Sequence, residues 1–309
     1  AEVNPKISEI RLSQGWIDEK FTDLEQLVNR VKKAKENKEV VSIAFLGNIV
    51  EVWEKFAEAE LDVDLVSDQT SLHNHGAGGY YPVGISFEEA NDMMSSNPKL
   101  FKQKVQESLR RQVTAINKHT SKGTYFFDYG NAFLLEASRA GADIYLNSKG
   151  VFCNKEIISS LGEETERWVY PSYVQDIMGP MCFDYGFGPF RWVCTSANPA
   201  DLEKTDKIAC DILEEIKKHS PIEIQQQMSD NIQWIKGAQE NKLVVGSQAR
   251  ILYADAEGRM KIAQAFNDAI QKREIGIVVL GRDHHDVSGT DSPFRETSNI
   301  YDGSKFTAD

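Results

Sequence analysis

A chain of 309 residues, 41% hydrophobic and 27% charged, carries enough apolar material for one large domain or two ordinary ones. This excludes a disordered tail, a fibrous repeat and a small disulfide-stapled scaffold. Lysine and arginine number 35 against 47 aspartates and glutamates, a net charge of −12, and the longest basic run, residues 30–38, is broken by apolar positions and Glu36. That run suits a solvated helix face, so no nucleic-acid partner is expected.

The four cysteines, Cys153, Cys182, Cys194 and Cys210, lie far apart with no C-x-x-C pair. The pattern argues against a structural zinc site and a secreted disulfide framework, and for a reducing compartment. No apolar run approaches the length of a membrane span, and the opening AEVNPKISEI has no charged leader before an apolar core. A cytoplasmic protein without a membrane partner is expected. The opening AEV reads as the end of a strand, and the closing YDGSKFTAD has no capping element, so the chain reads as a segment of something longer.

Apolar Leu24, Leu27, Val28 and Val31 recur at helical spacing, and residues 39–45 follow as a β-rich run. Residues 49–60 return to helical period, and 63–66 form a short strand that ends in Ser67-Asp68-Gln69-Thr70-Ser71. This alternation predicts an α/β fold with a doubly wound parallel sheet. The stretch HNHGAGGYYPVG is a long Gly-rich loop of the kind that carries ligands or lids. Ser86-Phe87-Glu88-Glu89 is a capping-box pattern, and Asn97-Pro98 opens a long helix toward His119. A strand at 125–128 runs into Tyr129-Gly130-Asn131, and residues 148–168 read as a peripheral loop. Beyond Tyr173 the character changes and a second domain is expected. Asn198-Pro199 starts a helix toward His219, further helices cover 221–242 and 258–273, and a strand at 275–280 delivers Gly281-Arg282-Asp283-His284-His285-Asp286.

The densest chemistry follows Leu280: Arg282, Asp283, His284, His285, Asp286, Asp291, Arg295 and Glu296. Divalent-metal ligation is one reading, although the run lacks the i,i+4 spacing that aims two imidazoles at one ion. General acid–base work by Asp283 or a histidine, with Arg282 or Arg295 holding an anion, is another, and a solvated polar loop is a third. Arg191 sits between Phe190 and Trp192, where stacking would fix its guanidinium against an acidic ligand, or where it simply packs. Ser71 and His73 lack an orienting third group for nucleophilic catalysis. Gly47-Asn48 and Gln69-Thr70-Ser71 each follow a predicted parallel strand, where this fold class meets nucleotides.

The segments LGNIVEVWEKF, SDQTSLHN, GGYYPVG, ESLRRQVTAIN, FDYGNAFLLEA, GFGPFRWVCTSANPADLEKTD, VVGSQARILY and GRDHHDVSGTDSPFRETSNIYDGS, in this order, closely resemble the urocanate hydratase (urocanase) family, particularly its animal-type branch. The resemblance runs along almost the whole chain and is weakest over 147–168. It implies addition of water to urocanate, giving imidazolonepropionate in histidine breakdown, with tightly bound NAD⁺ as an electrophile and no net redox. It also implies a Rossmann-like NAD-binding domain over residues 1–175 with its first Gly-rich βα unit missing. Part of a second α/β, catalytic core domain would cover 176–309, in a homodimer.

Carried over position by position, the resemblance gives Glu2 the adenosine ribose. Asn48, Ile49, Gln69, Thr70, Ser71, Leu72, His73, Tyr80, Tyr81 and Tyr129 match further NAD⁺ contacts. Arg191 matches a substrate-side arginine facing the urocanate carboxylate, Asp283 a proton donor or acceptor with His284 beside it, and Arg295 a second anion contact. No metal is implied. Where the bacterial branch carries a cysteine, Arg250-Ile251-Leu252-Tyr253 has Leu252, so that thiol is not essential to the chemistry of this branch. A non-catalytic NAD-binding fragment and an NAD-dependent dehydrogenase on the same fold stay open as alternatives.

Overall fold

The computed structural model describes residues 1–72, 78–129, 132–163, 168–238 and 249–282. The chain divides into two compact units, Ala1–Tyr173 and Val174–Asp309, each with its own apolar core. The fold is α/β.

The first unit opens with helix α1 (Pro5–Ser13), strand β1 (Glu19–Phe21), α2 (Leu24–Asn37), β2 (Ile43–Phe45), α3 (Ile49–Glu58) and β3 (Leu65–Asp68). It continues through α4 (Phe87–Ser96), α5 (Pro98–Thr120), β4 (Tyr125–Asp128), α6 (Phe133–Arg139), β5 (Tyr145–Leu146), β6 (Phe152–Cys153) and α7 (Lys155–Ser160). β1 pairs with β2 and β3 with β4, both in parallel, so each strand delivers its carboxyl end to the same edge as its partner's. Parallel bridges of Glu2 with Leu46 and of Asp128 with Ser172 extend the two sheets. Long α5 supplies the core spine, with Phe101, Val105, Leu109, Val113 and Ile116 packed with Trp53, Phe126 and Phe133.

Local capping explains most helix starts. Ser86 and Glu89 make both arms of the capping box, and Asn97 accepts from the Leu100 N–H ahead of Pro98. The stretch at 148–168, expected as loop, instead contains β6 antiparallel to β5 and α7 capped by Asn154. Two-residue strands and a six-residue helix are too short for periodicity to register. Sequence reading also passes over α1 and β1, and begins β2 four residues early.

The second unit holds α8 (Gly179–Met181), β7 (Gly188–Cys194), α9 (Pro199–Lys217), α10 (Ile222–Gly237), β8 (Ala249–Ala254), α11 (Ala256–Gln271) and β9 (Val278–Arg282). β7 lies between β8 and β9, antiparallel to both. One face of this sheet buries Phe190, Trp192 and Leu252 with Leu213, Ile232 and Phe266 from the helices. The last strand starts at Val278 rather than Ile275 and runs through Gly281 to Arg282. Among the described residues, no helix is long and apolar enough to cross a membrane.

Candidate functional site

In the first unit, a cleft of about 860 Å³ opens at the carboxyl ends of β2 and β3, the position where open parallel sheets take ligands. Glu2 enters it because its backbone is sewn to β2: its N–H donates to the Phe45 carbonyl and its carbonyl accepts from Gly47, both at 2.9 Å. The Asn4 N–H donates to Glu2 Oε1 at 2.7 Å and so aims the carboxylate. Gly47 follows, where an added Cβ would meet the Phe45 ring at 2.3 Å, so the turn out of β2 demands glycine.

Asn48 caps α3, accepting from the Val50 N–H at 3.0 Å, while its Nδ2 donates to the Tyr81 carbonyl at 2.8 Å. One side chain thereby starts a helix and ties down the opposite wall, with Asn48 and Ile49 at the start of α3 lining the cleft. Across from it, buried Asp68 ends β3. Its Oδ1 accepts from the Thr70 N–H at 3.0 Å and from the Thr70 hydroxyl, a turn that folds Gln69, Thr70 and Ser71 toward the cleft. Its Oδ2 accepts from Gln112 Nε2 at 2.7 Å, and the Tyr80 hydroxyl donates to Gln112 Oε1 at 2.9 Å. Burial pushes the Tyr80 hydroxyl's pKa well above its ordinary value, and burial also raises that of Tyr81, whose hydroxyl donates to Asn91.

The lining comprises the end of the Glu2 segment, Gly47, Asn48, Ile49, the Ser67 to Ser71 stretch and Gly78 to Tyr81. Glu2 offers acceptors only, which suits sugar hydroxyls, and the amide end of α3 suits a phosphate. These residues fit a ribose and phosphate.

Eight expected positions, Glu2, Asn48, Ile49, Gln69, Thr70, Ser71, Tyr80 and Tyr81, thus line a single cleft. Leu72 does not: its side chain is fully buried in the apolar core. Tyr129 stands at the end of β4, half exposed, its ring stacked on Tyr173 at 4.8 Å and its N–H donating to the Asp68 carbonyl. Sequence reading does not single out Asp68 or Gln112. The Asp-x-Thr spacing was the available signal for Asp68, whereas Gln112 lies 44 residues away on α5 with no local signature.

In the second unit, Arg191 lies on β7 opposite Ile251 of β8 and Gly281 of β9. Of the two readings the sequence leaves open for it, one stacks its guanidinium between Phe190 and Trp192 and the other packs it with its charge at the rim. Strand alternation sends those two rings into the core and Arg191 to the exposed face. Leu252 is buried in this core. His73, Asp283, His284 and Arg295 lie outside the described residues. The four cysteines are buried free thiols, and burial raises the pKa of each, that of Cys182 to about 12 and that of Cys210 to about 11. Among the described residues, no group of three or more His, Cys, Asp or Glu gathers to hold a metal ion.

A parallel α/β unit with its cleft at the strand ends defines a protein of the Rossmann-like class. Residues 1–177 match the family model described as the urocanase Rossmann-like domain, and residues 180–309 match the urocanase C-terminal domain. The chain belongs to the urocanase family. It is 52% identical over 312 residues to a probable urocanate hydratase of Caenorhabditis elegans, 53% over 313 residues to one of Dictyostelium discoideum, and 54% over 317 residues to the urocanate hydratase of Homo sapiens. Each match covers 100% of this chain and 44% of the relative, so the chain spans less than half the length of these curated relatives.

Proposed function

We propose that the intact protein is a hydro-lyase that adds water to urocanate to give imidazolonepropionate, a step of histidine breakdown, with NAD⁺ held in the cleft of the first unit. The observation that carries this reading is the convergence of eight family-matched positions on one cleft at the strand ends. When bound, the cofactor supplies an electrophilic ring that withdraws electron density from the substrate's imidazole without net redox.

This chain's residues orient both molecules. Glu2 accepts from a ribose hydroxyl, the amides of α3 and the Gln69 to Ser71 turn face phosphate and sugar, and Tyr80 and Tyr81 wall the cleft. Arg191 holds the urocanate carboxylate together with Arg295, and Asp283, assisted by His284, carries the proton. Supporting Arg191 is its place opposite Gly281, the residue two before Asp283 in the chain. A cytoplasmic homodimer completes the reading.

Urocanate should disappear in the presence of the intact protein with no growth of NADH absorbance, and stripping the dinucleotide should abolish turnover. Continued turnover by the stripped protein sinks the proposal, and accumulating NADH favours a dehydrogenase. Arg191→Ala should lower kcat/KM by about a hundredfold, since an anionic carboxylate loses its charge partner. Because the chain spans 44% of its relatives, a binding module without catalysis is the second reading. NAD⁺ binding without turnover by the 309-residue chain would support it.

A further inference from the structure

Behind the cleft, α5 carries a buried amide whose two ends are both spent on cleft residues. The inward face of α5 is otherwise mostly apolar, with Leu109, Val113 and Ile116 flanking Gln112, which is 0% exposed. A carboxylate only accepts, so the Gln112 NH₂ must face Asp68 and its carbonyl must take the Tyr80 hydroxyl. One turn earlier, Ser108 accepts from the Val83 N–H at 2.9 Å, so α5 grips the 80–83 wall at two successive turns. The other Asp68 oxygen shapes the turn through Thr70. Among the described residues, Gln112 thus bonds both walls of the cleft, the β3 turn and the Tyr80 segment, while not itself lining the cleft.

We propose that Gln112 is a positioning residue for the dinucleotide: by fixing the Asp68 carboxylate and the Tyr80 hydroxyl in one register, it presets the two walls between which the ligand binds. The inference rests on the reading that this cleft takes NAD⁺. Packing alone would be served as well by an apolar side chain at this position of α5, but neither Asp68 Oδ2 nor the Tyr80 hydroxyl would then keep the partner that aims it.

The test is equilibrium NAD⁺ binding by the intact protein and by Gln112→Glu and Gln112→Met, with circular dichroism confirming the fold. Two carboxyls at this spacing share one proton at low pH and repel once both ionise. Relative to wild type at the same pH, Gln112→Glu should bind within about threefold at about pH 5.5 and be weakened about tenfold or more at about pH 8.5. Gln112→Met should be weakened about tenfold at both, since no proton restores its bonds. A purely structural role does not produce that rescue at low pH. A folded Gln112→Glu whose affinity ratio is the same at both pH values, or a folded Gln112→Met that binds like wild type, overturns the inference alone. Failure of the wild type to bind NAD⁺ overturns the cofactor reading and this inference with it. Should neither variant fold, Tyr80→Phe, which frees one end of the amide, should weaken binding about threefold, and unchanged binding would overturn the proposal.

Discussion

Two carboxylates, buried Asp68 in the first unit and half-buried Asp206 in the second, are handled in opposite ways. Asp68 in the first unit takes neutral donors on both oxygens, from Thr70 and Gln112. Asp206 in the second unit takes only a cation: Arg250 donates to its Oδ2 through Nε at 3.1 Å and Nη2 at 3.0 Å, and its buried Oδ1 has no hydrogen-bond partner among the described residues. Burial pushes the Asp206 carboxyl up to about 6 even though Arg250 pulls it down. Neutral donors from separate elements give a carboxylate direction, which a binding cleft needs. A single charge partner gives it a counterion but leaves desolvation uncompensated.

The largest effect that separates the two units is expected at the second one's core. Trp192 is 0% exposed, packs edge-on against Phe266 with ring centroids 5.5 Å apart, and donates from Nε1 to the Thr205 hydroxyl at 3.0 Å. Trp192→Ala should cost about 3–5 kcal/mol in urea denaturation, from lost burial, the cavity and the lost hydrogen bond to Thr205. A cost under about 1 kcal/mol would show that β7 is not the centre of that core.

Next in size is the pH dependence of Asp206. Its folded pKa of about 6 lies above the 3.8 of a free aspartate, so between these values the folded state binds the extra proton. Stability from this group is therefore fully present below about pH 4 and lost as pH rises through about 6. Wild type should lose about 1–2 kcal/mol relative to Asp206→Asn between about pH 4 and pH 7, the figure being reduced for the partly solvated edge of the carboxyl. Urea midpoints of both proteins at the two pH values measure it. A constant difference would mean that Arg250, not burial, governs this carboxyl.

The two units also differ in how much of them is legible in sequence. Helix starts are local chemistry, so Ser86, Asn97 and Asn198 announce α4, α5 and α9 directly. The same Asn-Pro signature stands at Asn4-Pro5 and caps α1, but that helix buries only Ser8 and offers no apolar stripe to draw attention to it. β1 is three residues of mixed polarity, stabilised by β2 some 24 residues later, a pairing invisible to any short window. At the cleft, the loops after β2 and β3 were readable because strand ends need small polar residues there. The Asp68–Gln112–Tyr80 chain was not, because its members meet only once α5 has packed. Arg191 shows the converse: its flanking aromatics are plain in the sequence, but alternation along a strand places those two rings on the opposite face.

The smallest expected contrast is between two asparagine caps. Asn198 is exposed and does one task for α9, accepting from the Ala200 N–H at 3.2 Å. Asn48 is 8% exposed and does two, capping α3 and donating to the Tyr81 carbonyl. Asn198→Ala should cost about 0.5–1 kcal/mol and Asn48→Ala about 1.5–2.5 kcal/mol, because the second also leaves a carbonyl unpaired. Aspartate separates the tasks, since it keeps the cap but cannot donate. Asn198→Asp should be neutral or slightly stabilising, with a negative charge at a helix start. Asn48→Asp should still cost about 1–2 kcal/mol, its carboxylate set against the Tyr81 carbonyl. Urea denaturation of the four variants decides the matter: if the two aspartates behave alike, the tie from α3 to the far wall of the cleft adds nothing, and the walls are held by Gln112 and Ser108 from behind.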